Sequence, residues 1–112
     1  MDRQIRILLA DGNEEFCGRL KQTLEEDGRF AVVGVAGDGV RACELMQSCH
    51  PDVLALDLML PKMNGYEVLS SLRKDGNDVP VLILSARTEL DDKIQGFTVG
   101  ADDYVTKPFE IQ

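Results

Sequence analysis

Four polar residues stand where apolar runs end in this 112-residue chain. Asp11 follows residues 5–10 (IRILLA), Asp57 follows residues 53–56, Ser85 closes residues 80–85, and Lys107 follows residues 103–106. Taken singly, each has an ordinary explanation: aspartate and serine cap helices and make turns, and lysine sits in solvent. Gathered at one place, the four suit phosphoryl transfer onto a carboxylate. Asp57 is then the nucleophile, giving an aspartyl phosphate. Charge growing on the phosphoryl oxygens calls for cations, here the Lys107 ammonium and a magnesium ion, which takes oxygen ligands and usually one or two carboxylates. The Ser85 hydroxyl can donate to one phosphoryl oxygen.

The elements needed to bring these residues together are legible in the hydropathy. Residues 5–10, 30–36 and 80–85 are near-continuous aliphatic runs of strand length, and residues 53–56 and 103–106 are shorter ones. Between them lie amphipathic segments. Phe16, Leu20 and Leu24 recur at four-residue steps before Gly28, and Val40, Cys43, Met46 and Cys49 recur at three-residue steps between Asp38 and Pro51. Leu69 and Leu72 follow Gly65 and precede Gly76-Asn77, and Leu90, Ile94 and Phe97 precede Gly100. The order is βαβαβαβαβ. Strands apolar on both faces belong in a parallel sheet covered by helices, with right-handed crossovers placing every strand's carboxyl end on one edge. Asp11, Asp57, Ser85 and Lys107 all fall on that edge, where such sheets bind ligands.

Composition narrows the alternatives. With 44% hydrophobic and 29% charged residues the chain is globular and of single-domain size. A formal charge of -8 disfavours direct binding to nucleic acid. No apolar run approaches the roughly 18 residues that cross a bilayer, and Met1-Asp2-Arg3-Gln4 leads into no secretory cleavage pattern. Cys17, Cys43 and Cys49 form no C-x-x-C pair, and with a lone histidine, His50, they make no zinc site; free thiols and a cytoplasmic location are expected. His50, beside Pro51, reads as a surface or helix-capping residue, and its single occurrence excludes a Ser/His/Asp or Cys/His triad. G-V-A-G-D-G at 34–39 matches neither G-x-G-x-x-G nor the P-loop pattern and reads as a turn with a helix cap.

The segments L-L-A-D-G-N at 8–13, P-D-V-L-A-L-D-L-M-L-P at 51–61, N-G at 64–65, L-I-L-S-A at 82–86 and G-A-D-D-Y-V-T-K-P-F at 100–109 cover the chain in order. By them the sequence resembles the receiver domain of a bacterial two-component response regulator. The resemblance implies a flavodoxin-like, doubly wound, five-stranded parallel sheet of order 2-1-3-4-5. It implies Asp57 as phosphoacceptor, Asp11 as an acid of the metal pocket, and the backbone carbonyl of Met59 as a further magnesium ligand. Ser85 and Tyr104 then form the switch pair, Lys107 binds the phosphoryl group, and Lys107–Pro108 is the peptide bond usually found cis. The donor is a sensor histidine kinase or phosphotransfer protein, the receiver itself catalyses the transfer without being a turnover enzyme, and output is transcriptional.

One position departs from the family. Receivers carry two adjacent acids after the first strand, and here the second is Gly12. Loss of a carboxylate is expected to weaken magnesium binding, although a glycine leaves Asp11 room to move inward. The alternative reading is a degenerate, phosphate-independent receiver that serves as an interaction module. Met59 and Arg87, two residues past Asp57 and Ser85, fall where the family tunes access of water to the phosphate, and a methionine cannot position one. After the fifth strand, residues 107–112 are too few for a closing helix, so the expectation is one receiver domain over residues 1–112, cut before its last helix and any effector domain. A homodimer could cover the sheet left bare.

Overall fold

The computed structural model describes residues 3–86 and 103–107. Eight elements follow in order: β1 (Ile5–Ala10), α1 (Glu14–Asp27), β2 (Phe30–Ala36), α2 (Gly39–Cys49), β3 (Val53–Asp57), α3 (Gly65–Lys74), β4 (Val81–Ala86) and β5 (Asp103–Lys107). The helix expected around Leu90, Ile94 and Phe97 falls outside the described residues, as does everything after Lys107.

All five strands pair in parallel in the order β2-β1-β3-β4-β5. The chain leaves β1 for β2 on one side and returns to β3 on the other, so strand order reverses between β1 and β3. That reversal opens a crevice at their carboxyl ends. Several strand limits differ by one residue from the sequence expectation, β3 for instance including Asp57. Pro80 has no N–H to give the ladder; its carbonyl takes the Leu54 N–H at 2.9 Å, and β4 begins one residue later. At the other end β4 and β5 pair through Ala86 and Lys107, so β4 runs one residue past Ser85, and Lys107 lies within β5 rather than just beyond it.

Alternation along the strands divides the core. Leu8, Ala10, Leu54, Leu56 and Ile83 face α2 and α3, where they meet Ala42, Met46, Val68, Leu69 and Leu72. Ile7, Leu9, Ala55 and Leu84 face the other way, with Phe16, Leu20 and Leu24 of α1 packed against them. Leu8, Leu54, Leu56, Leu69 and Ile83 are sealed from solvent, each contributing on the order of 2 kcal/mol through burial. This shared packing makes the strand ends a rigid platform.

Caps set where the helices start. The Asn13 side chain accepts the Phe16 N–H at 3.0 Å and Asp38 accepts that of Arg41 at 2.8 Å. Asn64 and Glu67 form a reciprocal capping box. Gly28, at φ 85°, ends α1 in the left-handed conformation glycine takes freely. The open edge at β2 is guarded. An extra residue bulges the strand between the Ile7 and Leu8 pairings. The Glu25 carboxylate accepts the Val32 N–H at 3.4 Å, and the Cys49 thiol reaches the Val33 carbonyl at 3.7 Å.

Candidate functional site

Among the described residues, two charged side chains are buried, Asp11 at 2% and Asp57 at 7% exposure. Both stand at the crevice. Ala10 of β1 pairs with Leu56 of β3, and the next residue along each is the acid, Asp57 ending β3 and Asp11 directly following β1. Adjacent strands run about 4.8 Å apart, so two carboxylates are held side by side at the reversal point. A helical or loop position would let such charges drift apart; two neighbouring strand ends do not.

Local hydrogen bonds fix their rotamers. One Asp11 oxygen accepts the Asn13 N–H at 2.9 Å, and the Cys17 thiol donates to the Asp11 carbonyl at 3.4 Å. The Asp11 N–H donates to the Ala36 carbonyl at 3.0 Å, extending the β1–β2 ladder by one step. One Asp57 oxygen accepts the Met59 N–H at 3.2 Å. Asn13, which both holds Asp11 through its backbone and caps α1 through its side chain, was not singled out from sequence. The turn chemistry of D-x-N before an amphipathic run is the signal for it.

Ser85 and Lys107 reach the same edge by register. Asp57 pairs with Leu84, one residue before Ser85; Ser85 pairs with Thr106, and Ala86 with Lys107. Tyr104 pairs with Ile83, deeper in the sheet. Pro108 and Arg87 lie outside the described residues. The Met59 side chain is 68% exposed on the rim of the crevice.

Gly12 lies on that rim too. A Cβ there would sit 3.5 Å from the Gly37 carbonyl oxygen and 3.5 Å from Pro61 Cδ, ordinary contact distances. Its backbone is not left-handed; among the described residues the left-handed glycines are Gly28 and Gly76. Nothing in the backbone therefore demands glycine at this position. Magnesium commonly takes one or two carboxylates and completes its shell with water and phosphate, so the pair Asp11 and Asp57, with the Met59 carbonyl, is a chemically fitting if sparse donor set. No cluster of three His, Cys, Asp or Glu side chains able to hold a metal occurs among the described residues.

The other candidates resolve into structural roles. His50 is an exposed helix C-cap at φ 47°, its carbonyl accepting from the Arg6 guanidinium at 2.8 Å. Cys17, Cys43 and Cys49 are free thiols. Burial, and then the Asp75 carboxylate, push the Cys43 thiol above its ordinary pKa, so it is not primed as a nucleophile. Residues 34–39 end β2, turn and open α2, with Asp38 as the cap. No helix among the described residues is long and apolar enough to cross a membrane.

Known proteins resemble this arrangement along almost its whole length. The chain is 40% identical over 108 residues to response regulator MprA of Mycobacterium ulcerans (strain Agy99), a match covering 96% of this chain and 46% of the relative. It thus spans about half the length of the MprA proteins it matches. Its fold superposes on the receiver domain of the Francisella response regulator 1452 with a TM-score of 0.86 at 38% identity, covering 96% of this chain and 88% of that one. For the response regulator domain of Thermotoga maritima CheB the TM-score is 0.88 at 32% identity, with 98% and 83% covered. The family description "response regulator receiver domain" matches residues 7–112, and with the β2-β1-β3-β4-β5 sheet and its paired acids this chain belongs to that family.

Proposed function

We propose that this chain is a phosphorelay receiver whose Asp57 accepts a phosphoryl group from a histidine kinase or phosphotransfer protein. The observation that carries the reading is the pairing of the two buried carboxylates, Asp11 and Asp57, at the point where strand order reverses. In the transfer an Asp57 oxygen attacks phosphorus, the bond from phosphorus to the donor imidazole nitrogen breaks, and that nitrogen keeps the electron pair. The product is an acyl phosphate. Magnesium, held by Asp11, Asp57 and the Met59 carbonyl, would offset the charge on the phosphoryl oxygens.

The chain's own residues do the rest. The Met59 N–H at 3.2 Å orients one Asp57 oxygen and leaves the carboxylate plane fixed for in-line attack. Lys107 supplies a compact positive charge to the phosphoryl group and Ser85 a hydroxyl. Movement of Ser85 toward the phosphate, with Tyr104 following, shifts the population toward the output-competent arrangement. An effector carried elsewhere in a longer protein would be the target, with transcription as the output and a homodimer as one route to it. Direct nucleic-acid or membrane binding is not part of this reading, which places the protein in the cytoplasm. With Met59 in the water-access position, the phosphoryl group persists well beyond seconds.

Gly12 favours a second reading, a docking module indifferent to phosphate. Intact-mass measurement after incubation with acetyl phosphate separates the two. A single acid-labile phosphoryl adduct that needs magnesium and is absent from Asp57→Asn supports the receiver. A folded protein that takes no adduct at high magnesium refutes it.

A further inference from the structure

The loop after Asp57 is clamped to the start of α2. The Pro61 carbonyl accepts two backbone N–H groups, from Gly39 at 3.2 Å and from Met63 at 2.6 Å. The second bond closes a γ-turn centred on Lys62, whose φ of 66° is a strained conformation for a residue with a side chain. A Cβ on Gly39 would lie 1.8 Å from the Met63 carbonyl oxygen and 2.6 Å from its carbon, so loop and helix meet at a distance that glycine alone permits. The Lys62 ammonium stands 3.6 Å from one Asp38 oxygen, and the other Asp38 oxygen caps α2. One turn further along, the Cys43 thiol touches the Met63 sulfur at 4.0 Å.

The clamp has a use at the loop's far end. Met59 is two thirds exposed, so its side chain does little to fix its backbone, yet its N–H is aimed at Asp57. Its neighbours are held from both sides, Leu58 through its N–H to the Leu84 carbonyl at 3.3 Å and Pro61 by Gly39. We infer that Asp38, Gly39 and Lys62 are positioning residues that hold the strained loop so that the Met59 backbone stays on Asp57. The functional half of this inference rests on Asp57 being the phosphoacceptor. The strain is then useful: a relaxed loop would be more stable and aim the Met59 amide less well.

Lys62→Gly tests this, because glycine takes φ 66° freely and cannot make the ion pair. Gly39→Ala, which forces the loop off the helix, is the harsher companion. For Lys62→Gly we expect an unchanged or higher melting temperature together with about tenfold faster hydrogen exchange at the Met59 amide and slower adduct formation from acetyl phosphate. Opposite signs for fold stability and site chemistry are what a merely structural residue would not give. A Met59 exchange rate and adduct rate equal to the parent's overturn the inference. So does a lowered melting temperature accompanied by faster exchange throughout the domain. Should the parent itself take no phosphoryl group, the phosphoacceptor reading fails, and Met59 exchange alone still decides whether the clamp holds that amide.

Discussion

Gly12→Asp restores an acid at the rim of the crevice, and the structure says what it should do. The side chain fits, since the nearest atoms to its Cβ are 3.5 Å away and the backbone is not left-handed. Without metal it adds a third negative charge beside Asp11 and Asp57. Two like charges about 6 Å apart repel by about 0.7 kcal/mol in water and by about 3 kcal/mol at an effective dielectric constant of 20. Position 12 is exposed, so the cost belongs near the lower figure, about 1 kcal/mol, or about 4 °C in melting temperature for a domain of this size. With magnesium the sign reverses. Altering groups that merely support a metal site commonly changes affinity by about 10- to 100-fold, so a direct carboxylate ligand should gain at least tenfold, about 1.4 kcal/mol at saturation. The melting curves of parent and variant, followed through a magnesium titration, are therefore expected to cross, with the variant lower at zero metal and higher at saturation. Parallel titrations with one shared midpoint would refute the reasoning, because position 12 would then not reach the ion.

Three further outcomes concern the scaffold. Gly18 lies inside α1 with nothing within 4 Å of the position its Cβ would take, so Gly18→Ala should stabilise by about 1 kcal/mol on helix propensity, read as a raised thermal midpoint. His50→Gly relieves a left-handed residue at φ 47° while sparing the backbone carbonyl that Arg6 holds. A gain of about 0.5–1 kcal/mol is expected after the unfolded-state entropy of glycine is subtracted, checked by urea unfolding. The Arg6 backbone N–H, and after it the Arg3 guanidinium, hold Asp52 below its ordinary pKa of 3.8 against the opposing effect of desolvation. A depressed folded-state pKa gives stability that is present above the unfolded value and lost as pH falls through the folded one. Asp52→Asn should accordingly melt below the parent at neutral pH, and the gap should close as pH falls below the ordinary value of 3.8 and through the lower folded-state one.

The fold was written in the sequence because each element obeys one dominant rule. Ile5–Ala10 and Phe30–Ala36 are flanked by Gly28 and Asp38, the turn and cap residues read from the sequence, and their limits match those read from hydropathy. Asp11 and Asp57 were legible for a related reason: a carboxylate directly after a buried strand cannot avoid the carboxyl edge of a parallel sheet. What stayed hidden depends on contacts between loops. Gly39 and Lys62 are 23 residues apart, and nothing in either local pattern announces that Met63 crosses the start of α2. The γ-turn at Lys62 runs against residue preference, and local preference is the information a single sequence supplies most readily. The start of β4 was misjudged by one residue because the apolar run includes Pro80, which opens the run but cannot donate to the ladder.

The glycines carry the sharper lesson about the site. Gly28 is required by its φ of 85°, and Gly39 and Gly65 by backbone oxygens that a Cβ would meet at 1.8 Å and 2.5 Å. In those places the residue answers to packing and says little about chemistry. Gly12 answers to neither constraint. Its Cβ position is in ordinary contact and its backbone suits any residue, so neither packing nor backbone conformation accounts for the absence of a carboxylate there. Two carboxylates hold a divalent cation less tightly than three, and they also repel one another less when no cation is there. On the proposed reading, a receiver built this way would trade metal affinity for a more stable metal-free state. Its phosphorylation should respond to magnesium over a higher concentration range than that of a receiver with the third acid, and the crossing of the two melting curves is the thermodynamic image of that trade.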